Sequence, residues 1–125
     1  IGDRAFNNMT IKNTFTVNAS VDSFRSCYNL KANTVNINSK TIKTINQGAF
    51  QKANINTVNI GDSVTAIEEQ AFTESVIPTV NIGSGIMTID DFAFSSGTVV
   101  NINKPNSDGM TISEFLYGVT INFVG

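Results

Sequence analysis

Histidine is absent and cysteine occurs once, so any chemistry must come from carboxylates, hydroxyls and amides. Without histidine there is no Ser-His-Asp or Cys-His arrangement, and the commonest metal ligand and general base is missing. One thiol, Cys27, makes neither a thiolate zinc site nor an internal disulfide. The pairs Glu68-Glu69 and Asp90-Asp91 suggest paired carboxylates or calcium, but adjacent side chains diverge in direction. Both pairs also fall at one position of a repeat, which explains them structurally. Asn106 to Gly109 ("NSDG") lacks the alternating ligand spacing and closing glutamate of a calcium loop, and reads as an Asp-Gly turn after Pro105. Asn8-Met9-Thr10 and Asn18-Ala19-Ser20 fit the glycosylation pattern, a triplet that chance produces readily here: the chain holds seventeen asparagines and fourteen threonines. No phosphate-cradling glycine motif is present; Gly61, Gly83 and Gly85 fall where strands end. The residues predict no catalysis, no metal and no cofactor.

What remains is a surface, and a repeat positions it. Phe50, Phe72 and Phe94 each follow an alanine (Ala49, Ala71, Ala93) at steps of 22 residues, and Ile45, Ile67 and Ile89 keep the same step. Val35-Asn36-Ile37 recurs as Val58-Asn59-Ile60, Val80-Asn81-Ile82 and Val100-Asn101-Ile102, with Phe15-Thr16-Val17 in the same role upstream. Phenylalanines 6, 24, 50, 72, 94 and 115 mark about six units, the outer ones irregular. Ile55, Val58 and Ile60 spell apolar-x-x-apolar-x-apolar, as do Ile77, Val80 and Ile82, so valine and isoleucine face inward with asparagine between them facing out. Two acids precede the Ala-Phe segment in "IEEQAF" and "IDDFAF". Carboxylates suit the first turn of a short helix, which predicts Glu68, Glu69, Asp90 and Asp91 as helix-start residues.

"FRSCYNL" (Phe24 to Leu30), "SVTAIEEQAF" (Ser63 to Phe72) and "IGDRAF" (Ile1 to Phe6) resemble the BspA-type leucine-rich repeat of surface proteins. The resemblance covers essentially the whole chain, with Asn38, Gly61, Gly83 and Asn103 where the family usually has a proline after the strand. It implies an α/β repeat solenoid: a right-handed coil of about six 22-residue units. Parallel strands would form one face and short helical or 3-10 turns the other. It also implies that Cys27 takes the place of a buried cysteine or asparagine, and that the protein is adhesin-like, at the cell surface or secreted.

Residues 1–125 make one domain, with irregular units at 1–34 and 103–125 and regular repeats over 35–102. The chain opens in mid-repeat at Ile1, as a fragment of a longer array does. Val119, Ile121 and Phe123 alternate with Thr120 and Asn122 and predict a closing strand. One coil cannot bury its own flat faces, so neighbours must stack, and stability is shared along the array. Apolar content of 41% suits such a core. A net charge of −2 disfavours nucleic acid and anionic membranes, and no apolar run is long enough to insert in a bilayer.

The candidate binding surface is therefore the exposed strand ladder: Thr34, Asn36, Thr57, Asn59, Thr79, Asn81 and Asn101. Its expected partners are an extracellular protein or surface glycan, and the neighbouring repeats of the full-length protein. Two other uses fit the same face. A structural spacer or stalk needs no ligand. An ice-binding ladder would use the Thr-x-Asn rows, though Val99 interrupts the threonines and a concave sheet matches a flat crystal face poorly.

Overall fold

The computed structural model describes residues 6–17, the strand backbone at 23–24, and residues 27–105 and 109–124. The triplet at Asn18, most of the opening "IGDRAF" and Asn106 to Asp108 of the Asp-Gly turn lie outside the described residues.

Among the described residues, eleven strands alternate between a long and a short form. The long ones are β1 (Thr10–Val17), β3 (Lys31–Ile37), β5 (Asn54–Ile60), β7 (Thr79–Ile82), β9 (Val99–Ile102) and β11 (Thr120–Phe123). Between them come the two-residue strands β2 (Ser23–Phe24), β4 (Thr44–Ile45), β6 (Ala66–Ile67), β8 (Thr88–Ile89) and β10 (Thr111–Ile112). All described pairings are parallel. The odd strands form a six-stranded sheet in the order β1-β3-β5-β7-β9-β11, and the even strands a five-stranded sheet in the order β10-β8-β6-β4-β2. Each turn of chain thus adds one strand to each sheet, which makes a solenoid. The repeat spacing predicts this, because every residue pairs with its own counterpart one coil on: Val35 with Val58, Val58 with Val80, Val80 with Val100.

The core is a bundle of such self-stacked rows. Val35, Val58, Val80 and Val100 are fully buried, as are Ile45, Ile67 and Ile89 from the short sheet and Ile42, Val64 and Ile86 from the turns between sheets. The Phe50 and Phe72 rings lie 4.7 Å apart and 4° from parallel, and Phe72 and Phe94 5.0 Å apart at 22°. Like residues stack because identical backbone positions repeat at one strand spacing, about 4.8 Å.

The turns are not helical. Among the described residues there is no helix, and the predicted helical or 3-10 face is replaced by the short sheet and paired tight turns. Left-handed residues interrupt each segment: Gly48 and Lys52 (φ 73° and 59°), then Gln70 and Glu74 (φ 58° and 56°). A right-handed helix cannot continue through two such residues four apart. Ala49, Gln51 and Ala53 instead donate to carbonyls three residues back, while Phe50 N donates to Ala71 O at 2.8 Å and Phe72 N to Ala93 O at 2.8 Å. Backbone donors that a helix would use internally therefore bind the next coil. The acids follow suit: Glu68 Oε1 accepts from Gln47 N and Asn46 Nδ2 of the preceding coil, each at 3.0 Å.

Two phenylalanines occupy different slots from those the spacing assigns. Phe24 pairs with Ile45 in the short sheet, and buried Cys27 stands in the phenylalanine position. Its carbonyl accepts from Leu30 N as that of Phe50 accepts from Ala53 N. In the last coil Leu116 takes that slot, leaving Phe115 45% exposed. Packing decides both: a coil's interior position takes whichever apolar side chain the local chain length delivers.

Coil contact is tight between strands as well. A Cβ added at Gly85 would lie 1.9 Å from the Asp62 carbonyl oxygen, so the turn leaving β7 can cross the one below only as glycine. The irregular first unit shows as a register shift between Ile11 and Thr14, an extra residue in β1.

Candidate functional site

The long sheet gathers all seven predicted residues onto one face and adds four more polar ones, with Val99 between them. One row runs Thr14, Thr34, Thr57, Thr79, Val99, Thr120, and a second runs Thr16, Asn36, Asn59, Asn81, Asn101, Asn122. Their inward neighbours, Val35, Val58, Val80 and Val100, are buried, and strand alternation turns the rows outward. Thr14, Thr16, Thr120 and Asn122 complete the rows. The signal for the last two was plain: Thr120-Ile121-Asn122 repeats the Thr-x-Asn pattern.

The asparagines are not freely solvated. Asn122 Nδ2 donates to Asn101 Oδ1 at 3.1 Å, Asn101 to Asn81 at 3.0 Å, Asn81 to Asn59 at 2.9 Å and Asn59 to Asn36 at 2.8 Å. The chain ends on Thr16 Oγ1, 3.4 Å from Asn36 Nδ2. Five amides therefore form one continuous ladder, four of them half-buried. Strand pairing sets this geometry: amides of one rotamer, spaced by one strand, bring each N–H to the next oxygen. A shorter ladder beside it joins Asn56 Nδ2 to Asn33 Oδ1 at 2.7 Å. Each interior amide keeps a second N–H and a second lone pair for a ligand. Next to the ladder runs an open groove of about 350 Å³, lined among others by Asn59, Asn81, Asn101 and Asn103.

Elsewhere, candidate chemistry resolves into structure. Cys27 is fully buried, and burial pushes its thiol well above the ordinary range. Asp91 accepts from Ser113 Oγ on the next coil, and Asn8 Oδ1 accepts from Asn29 Nδ2 at 2.9 Å. Among the described residues no group of three or more Cys, Asp or Glu could hold a metal ion, and no helix is long and apolar enough to cross a membrane. Asn46 Oδ1 is buried without a hydrogen-bond partner, although its Nδ2 donates to Glu68.

A family model described as the BspA type leucine rich repeat region matches residues 21–122 in six copies. No curated protein and no solved structure matches the chain.

Proposed function

The chain belongs to the BspA-type leucine-rich repeat family, and on that premise we propose that it is a non-catalytic binding module of a surface or secreted protein. Its ligand face is the Thr/Asn ladder of the long sheet, and its partner an extracellular protein or surface glycan. The observation that carries this reading is the pair of in-register rows across six strands, polar at every position but Val99, one of them locked by amide–amide hydrogen bonds. Locked side chains have little rotamer freedom left to lose, so a ligand meets preorganised donors and acceptors. The face is small. Six strands span roughly 25 Å, and three to five residues give about 10–17 Å of width, so the area is on the order of 250–425 Å². A stable interface needs about 800 Å² per partner. One module therefore binds weakly, and repeated copies supply avidity.

The test uses the threonine row, because substitution there leaves the amide ladder whole. The Thr57→Arg/Thr79→Arg variant should keep its melting temperature within a few degrees and lose capture of extracellular-matrix proteins and arrayed glycans that the wild type retains. Retained capture by the variant removes the ladder as the site. No capture by either protein favours the second reading, a spacer, which the mutual satisfaction of the ladder amides also suits.

A further inference from the structure

Among the described residues, three exposed aromatic side chains lie outside both the core and the ladder. Phe92, Phe115 and Tyr117 form a nearly equilateral triangle, with ring centroids 6.1, 6.1 and 6.2 Å apart. All remain in water: they are 43%, 45% and 64% exposed. Phe92 is also held in a left-handed backbone conformation, φ 55°. The same coil position carries Gly48 and Gln70 in the two preceding repeats. A bulky aromatic is an outlier in that region. The turn imposes this backbone on all three coils, so the unexplained feature is the residue itself: neither core packing nor backbone preference accounts for phenylalanine there.

The distribution of charge along the chain points to the ligand's charge. Seven of the eight basic residues lie in residues 1–52 beside only two acids, whereas residues 53–125 hold eight acids and one base. The two parts carry +5 and −7, an asymmetry hidden in the overall −2. The one base of the acidic part, Lys104, donates to the Ile86 carbonyl. Asp91 and Glu114 immediately precede Phe92 and Phe115, and Phe92 N donates to Phe115 O at 3.0 Å, fixing the two coils together at this point. Aromatic faces with carboxylates beside them attract cations. The protein already uses that chemistry at the corresponding position near its other end. Tyr28 follows Cys27 as Tyr117 follows Leu116, and Lys52 Nζ sits 5.9 Å from the Tyr28 ring centroid.

We propose that Phe92, Phe115 and Tyr117, flanked by Asp91 and Glu114, dock an arginine or lysine side chain of a basic polypeptide partner. The site belongs to the turns after the short sheet, so it stands or falls independently of the ladder.

The probe is an alternating arginine–glycine hexapeptide, with a citrulline–glycine hexapeptide as its uncharged counterpart, titrated while the aromatic proton resonances are followed by NMR. The arginine peptide should shift the Phe92, Phe115 and Tyr117 rings saturably and bind about ten-fold more tightly than the citrulline peptide. Raising salt from 50 to 500 mM should weaken it further. Phe92→Gly, which installs the residue found at position 48, keeps the fold and should weaken arginine-peptide binding about ten-fold. Equal binding of the two peptides overturns the proposal, as does unchanged binding by Phe92→Gly. Concentration-dependent self-association that Phe92→Gly abolishes overturns it too, because a second copy then covers the triangle.

Discussion

Replacing Asn59 with alanine tests whether the amide ladder holds the coils together. Asn59 donates to Asn36 at 2.8 Å and accepts from Asn81 at 2.9 Å, so the substitution breaks two bonds at once. A typical hydrogen bond contributes about 0.5–1.5 kcal/mol net. The ladder is only half-buried, so water reaches the freed groups and the lower half of that range applies. Asn59→Ala should therefore cost about 1–2 kcal/mol. Asn122 has one ladder bond, at 3.1 Å, and is exposed. Its replacement should cost about 0.5 kcal/mol.

A double-mutant cycle sharpens this. Asn59→Ala and Asn81→Ala each remove two ladder bonds, but share one, so the double variant loses three. It should fall short of additivity by about one bond, roughly 0.5–1 kcal/mol. Asn36 and Asn122 are four strands apart, roughly 19 Å, and their replacements should add. Urea unfolding followed by circular dichroism reads all of these, with an unchanged denaturant slope confirming a common unfolded state. Strict additivity of the Asn59 and Asn81 replacements, or equal costs at Asn59 and Asn122, would refute the reasoning and leave the asparagines as solvated surface.

Phe72→Ala should cost about 3–5 kcal/mol in the same assay and more than Phe94→Ala, since Phe72 is stacked on both sides. Equal losses at the two positions would show that ring stacking adds nothing to burial. Cys27 gives a pH dependence. Burial raises its folded-state pKa above the unfolded value of about 8.5, so its contribution is complete below that pH. It is lost as pH rises from there through the folded-state value. Between pH 8 and 10.5 the wild type should lose melting temperature faster than Cys27→Ala, and the native thiol should resist Ellman's reagent; parallel pH profiles count against this.

Register and core composition were legible in the sequence because they depend on spacing alone. Val58 above Val35 and Phe72 above Phe50 follow from identical residues at a constant step. The turns were not legible. Acids before Ala-Phe favour a helix start locally, but the left-handed backbone at Gln70 and Glu74 is imposed by coil-to-coil bonding, and neither residue type announces it. Counting aromatics misplaces Phe24 and Phe115 because it ignores Cys27 and Leu116, which the packing accepts in their stead. The candidate face was found from the Thr-x-Asn pattern, whereas its amide ladder needs side-chain geometry. The aromatic triangle joins residues 23 and 25 positions apart, a spacing outside the 22-residue count. The charge division between residues 1–52 and 53–125 is legible in the sequence, but a net charge taken over the whole chain hides it.

Parallel strands stacked one per turn also determine how the molecule answers to force. The strands cross the stacking axis, so the hydrogen bonds between coils lie along it. Tension between the two ends loads these bonds head-on, a few at a time, rather than shearing a whole strand. Each coil released frees about 22 residues, roughly 75 Å of extended chain against the 4.8 Å it occupied. The solenoid thus lengthens in discrete steps, coil by coil, while the remaining coils keep their packed faces. A freed coil re-forms on its neighbour, which already presents the matching strand edge and apolar rows. Such a stack yields under a pull, absorbs work, and rewinds when the load falls.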